Sequence, residues 1–128
     1  MTNRTTTGSR HTTLRPLLAM SLLATVACGR FDARRQLKAG NSEYAEGKYA
    51  NAIGAFTKVV DNFPKAQAEV EAAMFKNGQA FFAIKRCEDA RVYFQELTKR
   101  YPKTSLKAEA NEQVKEITQK LKNKTVCQ

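Results

Sequence analysis

Along most of the chain, apolar residues recur every three or four positions. Tyr49, Ala52, Ile53, Phe56, Val59, Val60 and Phe63 keep that rhythm, as do Cys87, Ala90, Phe94, Leu97 and Tyr101. This predicts two amphipathic helices, each with one apolar face. Another helical stretch precedes each of them, at about 33–46 and about 68–84. Gly47 is placed to end the first stretch in a left-handed cap, and Pro64 and Pro102 to stop the second helix of each pair. After Pro102 the rhythm resumes as Leu106, Ala110, Val114, Ile117 and Leu121, a single stripe on a helix otherwise made of Lys, Glu, Gln and Asn. With nothing after it to cover its other faces, this fifth helix reads as a polar-backed cap.

Sliding the chain against itself by 38 residues exposes a repeat. Gly40 falls on Gly78, Tyr44 on Phe82, Ala45 on Ala83, Lys48 on Arg86, Ala52 on Ala90 and Phe56 on Phe94. The register continues with Val59 on Leu97, Phe63 on Tyr101, Pro64 on Pro102 and Lys65 on Lys103. Small residues match small ones and aromatics match aromatics. A period of this size marks a stacked array whose units bury their apolar faces against their neighbours.

Gly40, Ala52, Phe56 and Pro64 in the first unit, and Gly78, Ala90, Phe94 and Pro102 in the second, resemble the tetratricopeptide repeat. Glycine and alanine sit where two helices cross closely, phenylalanine fills the groove to the next helix, and proline closes the unit. The resemblance implies an all-α fold, two tetratricopeptide-like helical hairpins plus a C-terminal capping helix forming an α-α superhelix, over residues 33–123 with a tail at 124–128. The junctions around FPKAQAE and YPKTSLKAEA are similar to those of two bacterial envelope families, the TolA-binding cell-division coordinator (YbgF) and the outer-membrane-assembly lipoprotein (BamD). Both normally carry more repeats or an extra N-terminal segment, so a partner or self-association would supply the missing surface.

In such arrays the first helix of each hairpin lines the face that receives a peptide. Carried over by position, the groove set is Arg34, Leu37, Asn41 and Tyr44 from the first helix and Phe75, Gln79 and Phe82 from the third. Amides pair with a peptide backbone and aromatics give large contact area, which suits a mixed polar and apolar segment. Phe75 and Phe82 also fit an ordinary core, with Phe81 able to take the inward role beside Phe82. Repeats that grip a C-terminal carboxylate place Lys where this chain has Leu37, and bases near Gln113 and Val114, so the resemblance points away from that ligand.

The N-terminus reads as an address. Residues 1–16 are Thr-rich and basic, and Leu17 to Ala27 is nearly all apolar, in the order of a secretory signal. Eleven helical residues rise only about 16 Å against a hydrocarbon core of roughly 30 Å, too short for a comfortable span. Ala27, Cys28 and Gly29 resemble the lipobox of bacterial lipoproteins, although Thr25 stands where that family usually carries Leu. The expectation is therefore a lipoprotein signal at 1–27, lipidation of Cys28, a linker at 28–32, and, since Gly29 is not Asp, residence on the periplasmic face of the outer membrane. An unlipidated signal peptide, or a start codon placed too early before a cytosolic regulatory repeat domain, remain the alternatives.

Charge adds little to this picture. The 128 residues hold 22 Lys+Arg against 12 Asp+Glu, a net +10. Without the first 27 residues, which contain Arg4, Arg10 and Arg15 and no acid, 19 bases face 12 acids. Lys99, Arg100, Lys103, Lys107, Lys115, Lys120, Lys122 and Lys124 make the last third basic; it reads as a solvated face, or one for anionic lipid, lipopolysaccharide or an acidic protein. Nucleic acid is not expected, because no recognition motif or zinc spacing accompanies the charge.

If Cys28 carries lipid, Cys87 and Cys127 are left as a pair. The return of the last helix toward the start of the fourth would bring them together, while Cys87 also falls in the apolar register of Tyr49, so a bridge and a buried thiol both stay open. His11 is the sole histidine and lies in the signal, so no His-based triad or His metal site is expected, and no phosphate loop or cofactor motif occurs. The sequence thus predicts a noncatalytic interaction scaffold in the bacterial cell envelope, assisting outer-membrane or envelope assembly and maintenance. Its partners would be an envelope protein or peptide segment, and the membrane through a lipid anchor. A self-associating structural module is the alternative.

Overall fold

Five α-helices and no strand make up residues 15–124 and Cys127, the residues described by the computed structural model, with side chains described from Cys28 onward. They are α1 (Arg15–Ala45), α2 (Tyr49–Asn62), α3 (Gln67–Ala83), α4 (Cys87–Arg100) and α5 (Lys107–Asn123). Each helix packs on the next, and α1 also touches α3. The last four helices match the apolar periodicity to within a residue or two at their ends.

The first helix does not. It begins at Arg15 rather than at residue 33, so residues 28–32, expected as a linker, belong to α1. The reason is local. Pro16 lies in the first turn, where its missing N–H costs nothing, and Leu17, Leu18, Met20, Leu22, Leu23 and Ala24 are helix formers with no breaker among them. Gly29 alone costs about 1 kcal/mol and does not interrupt the run. No helix among the described residues is long and apolar enough to cross a membrane. Arg4, Arg10 and His11 lie outside the described residues.

The two hairpins are built alike, turn for turn. At the end of α1 the Lys48 N–H donates to the Glu43 carbonyl at 2.9 Å and the Gly47 N–H to that of Tyr44 at 3.0 Å, with Gly47 at φ 75°. At the end of α3 the Arg86 N–H donates to the Phe81 carbonyl at 2.9 Å and the Lys85 N–H to that of Phe82 at 3.0 Å, with Lys85 at φ 63°. Both are left-handed caps of the Schellman type, and the second places a lysine where the first has glycine. The prolines act through the residue before them: α2 stops ahead of Phe63-Pro64 and α4 ahead of Tyr101-Pro102. Ala66 and Thr104 then close equivalent turns onto the carbonyls of Phe63 and Tyr101 at 2.9 and 3.0 Å.

The core runs the length of the stack. Phe56, Val59, Val70, Phe94, Leu97 and Ile117 are fully buried, together with Ala52, Ala73, Ala90 and Ala110. A Cβ placed on Gly40 would lie 2.6 Å from the Phe56 ring, and one on Gly78 would lie 2.6 Å from the Phe94 ring. Each glycine therefore receives a phenylalanine from the next helix at a distance no side chain would allow. Phe94 is further held edge-on by Phe75, with ring centroids 5.3 Å apart, and Phe81 stacks on Tyr93 at 5.2 Å. Cys87 and Cys127 are joined by a disulfide, their Cα atoms 5.7 Å apart, which ties the residues beyond α5 to the first residue of α4.

Candidate functional site

The solvent-facing sectors of α1 and α3 repeat one another. Lys38, Asn41 and Tyr44 follow at intervals of three on α1, and Lys76, Gln79 and Phe82 hold the same positions 38 residues later on α3. Residues three apart share one side of a helix, so each helix presents a lysine, an amide and an aromatic ring in a row. Lys38 and Asn41 are exposed, and Tyr44, Lys76, Gln79 and Phe82 are half-buried.

Cations join the rows across the stack. The Lys76 ammonium from α3 lies 5.4 Å from the centre of the Tyr44 ring on α1, and the Lys120 ammonium from α5 lies 5.2 Å from that of the Phe82 ring on α3. Such placement is favourable because the ring face is electron-rich. Tyr44 also meets Tyr49 edge to face at 5.1 Å. Burial, with a smaller contribution from Tyr49, holds the Tyr44 hydroxyl above the usual phenol range, so it stays a neutral donor.

At the edge of this face, the Arg34 Nε donates to Glu69 Oε1 at 2.8 Å, linking α1 to the first turn of α3. Glu69 is buried, which pushes its carboxyl up. The hydrogen bond from Arg34, its own backbone N–H and the charges of Arg34 and Arg30 outweigh that and hold it below the usual range. Its second oxygen, Oε2, is buried without a partner.

Of the expected groove residues, the structure brings Asn41, Tyr44, Gln79 and Phe82 onto one face, with Arg34 at its border in an ion pair. Phe75 is a correction: it is 5% exposed and packs on Phe94, so it is core and not groove. Leu37, its equivalent on α1, is half-buried against the same core and lies on the inner border of the face. Both sit one helical step toward the core from the exposed row. Lys38 and Lys76 stand outside the expected groove set, although the 38-residue offset that pairs Tyr44 with Phe82 also pairs Lys38 with Lys76; Lys120 was expected only as part of the basic last third.

Other candidates lie elsewhere. Cys28 is exposed and unbridged on α1. A cavity of about 380 Å³ lies between Gly29 and Arg30 of α1 and the α2–α3 turn at Asn62, Phe63, Pro64, Lys65 and Ala66, apart from the lysine–amide–aromatic rows. No group of three or more His, Cys, Asp or Glu side chains is placed to hold a metal ion among the described residues.

Comparison with protein families gives a match to the tetratricopeptide repeat over residues 36–66 and 72–104, the two segments that form the successive hairpins. No curated protein and no solved structure matches the chain significantly. The matched segments cover half of the chain and coincide with the repeated glycine–phenylalanine contacts, and the chain belongs to the tetratricopeptide-repeat family.

Proposed function

We propose that the protein is a noncatalytic scaffold that binds a partner protein on the joint face of α1 and α3. The observation that carries this reading is the duplicated row itself: a lysine, an amide and a ring recur in register on two adjacent helices and stay open to solvent at least in part. Both rings rest in part on the core, as Leu37 does, and leave the remainder of their surface open. Surface lysines and amides alone would not bring two aromatic rings with them.

We further propose that the scaffold works in the bacterial envelope as a lipoprotein, with Cys28 as the modified residue, on the periplasmic side of the outer membrane and in its assembly or maintenance. The run Ala27-Cys28-Gly29 and the exposure of Cys28 support the anchor. End-to-end stacking is the alternative, on the outer flank of α5, where exposed Glu109, Asn111, Glu112 and Lys115 surround Ala108 and the half-buried Val114.

Crosslinking in cells tests the binding face. Tyr44→Ala combined with Phe82→Ala should reduce partner capture while the melting curve moves by a few degrees; unchanged capture with a large loss of stability would show that both rings are core. Incorporation of labelled palmitate tests the anchor, since Cys28→Ser should abolish labelling and release the protein from the membrane fraction.

A further inference from the structure

The cavity between α1 and the α2–α3 turn is concave, charged and apart from the duplicated face. Its volume of about 380 Å³ falls within the range of small-molecule sites, about 300 to 1,000 Å³. Phe63, Pro64 and Ala66 give it an apolar wall, and Arg30 from α1 and Lys65 from the turn bring two cations to it. Both are exposed, and neither has an ion-pair partner among the described residues. Of the acids close by in the chain, Asp32 is engaged by Arg35 at 3.5 Å and Glu69 by Arg34 at 2.8 Å. Asp61, beside Asn62, is exposed and leaves the site positive on balance.

Position narrows the occupant. Cys28 is exposed on α1, and the two residues after it, Gly29 and Arg30, line the cavity. At about 1.5 Å of rise per residue, the cavity begins within about 3 Å of that cysteine along the helix. Phe31 follows Cys28 by three residues, hence on the same side of α1, and is 68% exposed, more than Val92 or Ile84. A bare ring and free cations next to a lipid-bearing residue are ordered as a bilayer boundary is: apolar groups at the acyl edge, positive charge at the level of the phosphates.

Resting on the reading that Cys28 carries the lipid, we propose that this cavity is a headgroup site for an anionic phospholipid of the membrane the anchor enters. Arg30 and Lys65 donate charge-assisted hydrogen bonds to the phosphate. The Asn62 amide serves the headgroup hydroxyls, and Phe63 and Pro64 lie against the first methylenes of the acyl chains, while Phe31 enters the bilayer surface beside Cys28. A lipid on one residue is a single point of attachment about which the stack could swing. A second contact next to it fixes the angle at which the joint face of α1 and α3 is held out from the membrane.

Native mass spectrometry of the full chain, purified from membranes in a nonionic detergent and offered equal phosphatidylglycerol and phosphatidylcholine, tests this. The protein should retain phosphatidylglycerol preferentially. Arg30→Gln and Lys65→Gln should each weaken retention by about two- to fivefold, whereas Lys122→Gln, an exposed lysine at the end of α5, should change nothing. Gly29→Leu, where an added Cβ meets nothing within 4 Å, should fill the cavity and abolish the preference without lowering the melting temperature. Equal retention of both lipids, equal effects of Lys65→Gln and Lys122→Gln, or a preference that survives Gly29→Leu would overturn the proposal. Displacement of the lipid by an equal concentration of inorganic phosphate would overturn it in favour of a free-phosphate site. The anchor fails separately: palmitate labelling without a phosphatidylglycerol preference sinks the headgroup site alone, and a preference without labelling sinks the anchor alone.

Discussion

Replacing Gly78 by alanine isolates the contact on which the stack is built. In an exposed helix interior the change should stabilise by about 1 kcal/mol, because alanine is the better helix former. At Gly78 the new Cβ would lie 2.6, 2.7 and 2.9 Å from Cζ, Cε1 and Cε2 of Phe94, where carbon atoms rest at about 3.5 to 4.0 Å. The ring is fully buried and backed by Phe75, so it cannot retreat freely. Overpacking of this kind costs about 1 to 3 kcal/mol, which cancels or exceeds the helical gain. Gly54 is the internal control: it lies exposed in α2 with nothing within 4 Å of an added Cβ, so Gly54→Ala should stabilise by the full amount.

Phe94→Leu removes the three ring atoms in question and destabilises by itself. In that background Gly78→Ala should turn favourable, giving a coupling of about 1 to 3 kcal/mol in a double-mutant cycle. Urea unfolding followed by helical circular dichroism measures all four proteins, and the Gly40–Phe56 pair should return a coupling of the same sign but smaller, because Cδ1, 2.7 Å from the Cβ added at Gly40, is kept in leucine. The reasoning is refuted if Gly78→Ala stabilises as much as Gly54→Ala, or if its effect is the same with Phe94 and with Leu at that position.

Three further outcomes are expected. Lys85 occupies the left-handed cap that Gly47 fills in the first hairpin, so Lys85→Gly should raise stability by about 1 kcal/mol and Gly47→Ala lower it by a similar amount, read from denaturant midpoints. The disulfide spans a separation of 40 residues, and reduction or Cys127→Ser should cost up to roughly 4 kcal/mol on the chain-entropy account; a reductant-insensitive melting curve of the oxidised protein would contradict this. Because the Glu69 carboxyl is depressed below its ordinary 4.5, the stability it contributes is complete above that value and is lost as pH falls through the lower folded one. Melting curves of the parent and Glu69→Gln should therefore differ at neutral pH and converge in acid.

The repeat was legible because its carriers cannot be exchanged. Gly40 and Gly78 leave room for a ring, Phe56 and Phe94 supply it, and Pro64 and Pro102 end the unit, so the same residues must return at the same step. The start of α1 was not legible, since the leucine- and alanine-rich run at 17–27 favours helix whether it serves as a signal or as part of the fold. Phe75 stays open between groove and core in the sequence because a helical face has a soft border: it lies one angular step from Gln79, and only packing on Phe94 shows on which side of the border it falls. Lys120 belonged to a basic stretch open to solvent or to an anionic partner, and composition alone does not distinguish such a charge from a cation held over a ring. Lys85 gave no local sign of a left-handed backbone, and only its alignment with Gly47 carries one.

The sulfur bridge also gives the stack a direction. A pull applied at Cys127 is handed across to Cys87, bypassing α4 and α5, which sit inside a closed ring of covalent bonds. Among the described residues no comparable bond secures the opposite end, where α1 is held to α2 and α3 by side-chain contacts and the Arg34–Glu69 pair. Unravelling should therefore begin at α1 and travel inward, as a rope whipped at one end comes apart only from the other.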